Sequence, residues 1–264
     1  FKGEYDEAAG PYTVDLSQDT PATPNQPTKQ PMHIPVTVGF LGTEGEIAQE
    51  HTFDLREAKQ SFTVEELKEK PVASILRNFS APVKLVSDQG NAELSFLMLS
   101  DTDGFNSWES AQQLGLKMIN AMVDKAAAGE KAQPCPRYME AIGKILEEAL
   151  EPESDKALMA RILSLPDVGF IGQNRSLVDP ILINEQRSII IKSIKREHRK
   201  LLDKIYTDNA QDVYAITPNS MGKRALRNWS LAVLSSTHGT GCERRCKEHY
   251  ETADNMTDRV AALS

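Results

Sequence analysis

The spacing of apolar residues changes once along this chain, near residue 88, and one layer of secondary structure cannot accommodate both patterns. Before the change, short runs rich in Val, Thr and Phe alternate with the strand period. They are Tyr12 to Leu16, Ile34 to Phe40, His51 to Leu55, Gln60 to Val64 and Val83 to Val86. Turns rich in Pro, Gly and Asp separate them. About six or seven short strands with no helical stripe between them predict an antiparallel β-sandwich of immunoglobulin-like size. Pro21, Pro24, Pro27, Pro31 and Pro35 crowd one stretch, which reads as a stiff connection running into a strand.

After the change the period is helical. Leu94, Leu97 and Met98 begin it, and Phe105, Trp108, Ala111, Leu114, Met118 and Met122 form one face of a long helix. Met139, Ile142, Ile145, Leu146 and Leu150 mark another, and Leu158, Ile162 and Leu163 a third that stops before Pro166. Asp179 followed by Pro180 is a strong helix start. Its stripe is Ile183, Ile190, Ile194, Leu201 and Ile205, with His198 on the same face as a histidine lodged between helices. Ser220 or Thr217 caps a helix through Met221, Leu226, Trp229 and Val233. Asn255 caps the last, whose Met256, Val260 and Leu263 share one face. The expected fold class is therefore multidomain α and β. An immunoglobulin-like antiparallel β-sandwich over residues 1–87 precedes an all-α domain of helical hairpins over residues 88–264.

Charge and cysteine usage narrow the function classes. Thirty Lys and Arg against 38 Asp and Glu give a formal charge of −8, which repels phosphate backbones and anionic lipid, so neither nucleic acid nor membrane is expected as a partner. The longest apolar runs, such as Ser188 to Ile191, are far shorter than the roughly 18 residues that span a bilayer. Three cysteines form no disulfide framework and suit a reducing, cytoplasmic compartment. The opening Phe1-Lys2-Gly3 has neither an initiator methionine nor a signal peptide, and the last helix is still apolar at Ser264. A C-terminally truncated piece of something longer is the expectation.

Catalytic signatures are not found. None of His33, His51, His198, His238 and His249 is followed by Glu, so the His-Glu-x-x-His zinc pattern has no place here. There is no G-x-x-x-x-G-K-[ST] loop, no G-x-G-x-x-G and no G-x-S-x-G elbow. His238, Cys242, Cys246 and His249 have helical spacing and suitable zinc donors. A linear stripe of that kind spans roughly 16 Å, however, and one ion reaches only adjacent members. Two ordinary free thiols on a helix face are expected instead. Lys195, Arg196, Arg199 and Lys200, and then Lys223, Arg224 and Arg227, read as solvated faces or ion-pair partners. Glu147, Glu148, Glu151 and Glu153 read as acids facing water at a helix end. No catalytic, cofactor-binding or metal-ligating residue is assigned.

Several stretches nevertheless resemble one family. Thr20-Pro21-Ala22-Thr23-Pro24-Asn25-Gln26 running into Lys29-Gln30-Pro31-Met32-His33-Ile34-Pro35-Val36 is similar to a stretch of the zinc-dependent aminopeptidase N enzymes. So are Gln60-Ser61-Phe62-Thr63-Val64 and the segment Pro71 to Leu85, with its Asn78-Phe79-Ser80-Ala81-Pro82-Val83. Arg224-Ala225-Leu226-Arg227-Asn228 and Asn255-Met256-Thr257-Asp258 resemble that family's helical domain. The resemblance implies a parent metalloexopeptidase that releases N-terminal residues from peptides. It also implies an immunoglobulin-like domain and the first part of a C-terminal helical domain in this chain. The family's zinc ligands, general-base glutamate, amine-binding loop and transition-state tyrosine belong to a catalytic domain, and no position here matches them. Zinc is thus implied for the parent and not for this piece. The implied partners are that catalytic domain and the parent's peptide substrates; with the face of the last helix uncovered, the truncated helical domain is expected either to self-associate or to fray at that helix. The rival reading is a free-standing interaction or scaffold module with no enzymatic role. A module stabilised by zinc at the Cys/His cluster is a third.

Overall fold

Alternate residues of the early strands are buried, because successive side chains of a strand point to opposite faces. In β2 (Tyr12–Ser17) these are Tyr12, Val14 and Leu16; in β3 (Ile34–Leu41) they include Ile34, Val36, Val38 and Phe40. The computed structural model describes residues 1–264 except Ala9, Asp212, His238 and Gly239. β1 (Lys2–Tyr5) and β5 (Lys59–Val64) flank β2 in one antiparallel sheet. β4 (Ile47–Leu55) and β6 (Val72–Ile75) flank β3 in the other. Side chains of both sheets meet in one core that includes Val14, Val38, Phe40, Phe53 and Ile75, which makes this a sandwich. Burial of each large apolar side chain there contributes about 1.5–3 kcal/mol.

Three details differ from the sequence reading. β1 and β6 are real strands of four residues each, too short to show a period. Val83 to Val86 is not a strand: Val83 and Val86 are exposed and only Leu85 packs against the sandwich core. β4 begins four residues before His51, at Ile47, in a stretch whose side chains are mostly exposed.

The chain divides into two compact units, residues 1–110 and 111–264. The first holds the sandwich, a 3-10 turn at Arg77–Phe79, helix α1 (Asn91–Ser100) and the opening turns of α2 (Gly104–Ala127). The second holds the rest of α2, then α3 (Pro136–Glu148), α4 (Lys156–Ile162), α5 (Val168–Gln173) and α6 (Pro180–Asp208). α7 (Pro218–Ser235), α8 (Thr240–Thr252) and α9 (Met256–Leu263) complete it.

The helix starts follow capping chemistry. Asp155, Asp167, Asp179, Thr217 and Asn255 each accept a hydrogen bond from a backbone N–H in the first turn of the helix that follows. Thr217, not Ser220, caps α7, with Pro218 in the first helical position. The expected stripes form the helical core, with three corrections. Phe105 and Met221 are exposed, and Leu202 replaces Leu201 as the buried member of α6. The last shift follows from counting: after Ile194, steps of four reach His198 and Leu202, and Ile205 is three further on. α6 leaves helical geometry at His198 (φ −116°, ψ 22°), where the imidazole lies against Gly143 of α3. A methyl group at Gly143 would come within 2.8 Å of that ring, so only glycine permits this approach.

Candidate functional site

The most constrained polar cluster of the first unit is built around one arginine. Arg77 follows the apolar strand β6 and is almost wholly buried. Its Nε donates to Glu50 at 2.7 Å and its Nη1 to Asp101 at 2.5 Å and to the Ser74 hydroxyl at 3.1 Å. Nη2 donates to Thr102 at 3.0 Å. A buried guanidinium needs this fork of acceptors, since its uncompensated desolvation costs several kcal/mol. Gly39 of β3 makes room, because a Cβ there would lie 2.6 Å from the Arg77 side chain. Asn106 of α2 extends the network by donating to Ser74 Oγ at 2.7 Å and to the Ile75 carbonyl at 3.0 Å. The Asn78 N–H donates to Asp103 at 2.6 Å.

The backbone beside this cluster is unusual. Leu76, Asn78 and Phe79 have φ of 62°, 55° and 51°, the left-handed region that side chains with a Cβ avoid. That geometry turns Phe79 outward, 56% exposed, with its ring edge-on to Phe105 at 5.4 Å; Phe105 in turn lies 5.6 Å from Trp108. Sequence reasoning missed the cluster. The available signal was a lone Arg ending the apolar run Val72 to Leu76.

The residues singled out in the sequence are dispersed. His33 pairs with Asp54 at 2.5 Å on the surface, which holds the Asp54 carboxyl below its ordinary range. His51 lies between the rings of Phe40 and Phe53. Glu147, Glu148, Glu151 and Glu153 are exposed, as expected. The basic stretches are only partly solvated. Arg196 pairs with Glu197 and Arg199 with Asp203, but Lys195 and Arg224 are buried. Arg224 donates to the Ala215 carbonyl at 2.8 Å and its guanidinium covers the Tyr214 ring. Lys156 donates to the carbonyls of Ala149 and Glu151 just beyond α3, where a cation complements the helix dipole.

His238 lies outside the described residues, so the four-residue Cys/His stripe cannot be traced whole. Its other members turn apart. Cys242 Sγ approaches the Leu234 carbonyl at 3.4 Å, Cys246 Sγ the Ser235 hydroxyl at 3.2 Å, and His249 Nδ1 the Tyr206 hydroxyl at 3.0 Å. Among the described residues no three His, Cys, Asp or Glu gather to hold a metal ion, so the side chains present do not fit a zinc site. All three cysteines are free thiols. His249 is 2% exposed, and burial, with Arg227 nearby, pushes its pKa below the ordinary value.

An open groove of about 390 Å³ lies beside the break in α6 of the second unit, lined by Pro134, Met139, Glu140, Arg196, Glu197 and His198 among others. Its charges already have partners: Glu140 pairs with Lys144 and Arg196 with Glu197. No described helix is long and apolar enough to cross a membrane.

With this geometry in view, known proteins are informative. The chain is similar to aminopeptidase N of Escherichia coli K12, 32% identical over all of this chain and 31% of that protein. It is 29% identical to aminopeptidase N of Haemophilus influenzae, over 98% of this chain and 30% of the relative. It thus spans about a third of the length of these relatives. A crystal structure of Legionella pneumophila aminopeptidase A in complex with aspartic acid shares the fold, with a TM-score of 0.81 and 21% identity over 99% of this chain and 30% of that one. Residues 1–88 match a family described as a domain of unknown function (DUF3458) with an Ig-like fold. Residues 91–264 match a second, described as a domain of unknown function (DUF3458_C) with ARM repeats. The chain belongs to this DUF3458_C family of ARM-repeat domains, carries the Ig-like DUF3458 fold ahead of it, and is a relative of one stretch of aminopeptidase N.

Proposed function

We propose that this chain is the non-catalytic C-terminal portion of a zinc-dependent aminopeptidase that removes N-terminal amino acids from peptides. The β domain, residues 1–87, acts as a spacer, and the helical domain, residues 88–264, as a cover that restricts access to the active site. The observation that carries this reading is similarity along the whole chain to 31% of an aminopeptidase N. Zinc belongs to the catalytic domain of the parent, which is this chain's partner, and peptides are the parent's substrates. An exopeptidase must admit a free chain end while excluding folded protein, and an array of helical hairpins does this by shape. The free thiols support a cytoplasmic location.

Two measurements test the reading. Intact-mass analysis of the native protein should find this sequence within a much larger chain that contains His-Glu-x-x-His; a native protein ending at these residues sinks the proposal. The purified 264-residue chain should not hydrolyse aminoacyl amides, with or without added zinc. Chelator-sensitive turnover by the chain itself contradicts the assignment.

The self-association expected from sequence rests on α9, whose Met256, Val260 and Leu263 are exposed together. A second copy can cover this face, since burying a Leu or Met contributes about 1.5–3 kcal/mol. Sedimentation should show concentration-dependent association that the Met256→Lys/Leu263→Lys variant loses. A monomer at every concentration rules it out.

A further inference from the structure

Lys195 is 8% exposed, and no carboxylate pairs with it among the described residues. Its Nζ donates to the Thr237 hydroxyl at 2.5 Å and to Cys242 Sγ at 3.7 Å. A buried ammonium without a counter-charge is costly, and neutral acceptors relieve only part of the cost. Of its two described contacts, the Cys242 sulfur is the nucleophilic one. Cys242 also sits in the first turn of α8, where unpaired backbone N–H groups and the helix dipole favour an anion. It is half-buried, so small reagents reach it.

We infer that Cys242 is a modification site, a thiol made reactive by the buried Lys195 ammonium towards hydroperoxides and soft electrophiles. The other two cysteines provide the contrast. All three are half-buried, so access alone does not separate them. Cys246 Sγ lies against the neutral Ser235 hydroxyl, and Cys135 lies just before α3 with its backbone N–H on Met118 sulfur; among the described residues neither has a lysine contact. In the oxidation, sulfur attacks one oxygen of the peroxide, the S–O bond forms and the O–O bond breaks. Sulfur loses two electrons, and the second oxygen leaves with the thiol proton, as water from hydrogen peroxide or as an alcohol from an organic hydroperoxide, giving a sulfenic acid. The ammonium stabilises the negative charge carried by sulfur during attack. The added oxygen would sit where α6, the end of α7 and the start of α8 meet.

The test is competitive labelling of the intact 264-residue chain with iodoacetamide at pH 7, read peptide by peptide by mass spectrometry. Dimedone trapping after hydrogen peroxide gives the parallel oxidation measurement. Cys242 should react at least about tenfold faster than Cys135 or Cys246, and it alone should trap as the sulfenic acid. Lys195→Met should abolish the preference, and Lys195→Arg, which keeps the charge, should retain it. Equal rates for the three thiols overturn the inference, as does a preference that survives in folded Lys195→Met. The comparison within the unmodified chain needs no variant, so a substitution that prevents folding does not remove the test.

Discussion

In the first unit the buried guanidinium of Arg77 is held between two carboxylates, Glu50 and Asp101. In the second, the buried imidazole of His249 faces a neutral phenol, Tyr206, whose ring is covered by Arg227 at 4.8 Å and Arg245 at 5.2 Å. The first cluster neutralises a permanent charge by pairing it. The second disfavours charge on a titratable ring by burying it beside Arg227, against the weaker pull of Asp258, and leaves its Nε2 without a hydrogen-bond partner among the described residues. One is a fixed joint; the other carries a dependence on protons.

The largest effect should come from Arg77→Met. It leaves the fully buried Asp101 side chain without its cation, and breaking a buried pair from one side costs about 3–5 kcal/mol. Urea unfolding should register this loss. A change below about 1 kcal/mol would mean that the cluster is not the joint described here. Tyr206→Phe should cost about 1–3 kcal/mol, because it strips a buried nitrogen of its hydrogen-bond partner. If the variant is as stable as the unmodified chain, the two clusters do not differ in the way proposed.

Proton dependence sharpens the contrast. The pKa of His249 in the folded chain lies below its ordinary 6.5, mainly through burial and then Arg227, with Asp258 opposing. Below pH 6.5 the unfolded chain takes up a proton that the folded chain refuses, so stability is full above that pH and falls as pH drops towards the folded value. His249→Gln should flatten this slope between pH 7 and 5 in stability measured by denaturant, and an unchanged slope removes His249 as its cause. The smallest expected effect is that of Arg245→Gln. It removes one cation from the Tyr206 ring and an ion pair with Asp203, at a cost of about 0.5–1 kcal/mol. A loss of several kcal/mol would show the pair to be a load carrier like Arg77.

The two regions also differed in how much could be read from sequence. Periodicity located both folds because burial of an alternating or a helical stripe is a repeated, additive signal. Asp179 with Pro180, and Asn255 before Met256, marked helix starts because capping is local chemistry. β1 and β6 escaped, since four residues are too few to show a period, and Val83 to Val86 misled because an extended β-branched run needs a partner strand that no local pattern reveals. The polar clusters were illegible for a related reason. Arg77 meets Asp101 across 24 residues and Lys195 meets Cys242 across 47, so each looked like an ordinary charge on its own segment. Only the folded chain brings such partners together.

The left-handed run at Leu76, Asn78 and Phe79 has a consequence for how the first unit comes apart. Leu76 and Phe79 each cost about 1–2 kcal/mol relative to the right-handed region and Asn78, whose side chain tolerates it, less, so the run opposes the native turn by roughly 2–4 kcal/mol. The Arg77 bonds and the Asn78 N–H to Asp103 offset that tension, and they share one short segment. Once any of them lets go, the backbone recoils and the remaining bonds lose their geometry. The segment therefore behaves as a latch with two positions, shut or sprung, and local opening there should give way to cooperative loss of the turn without a populated halfway state.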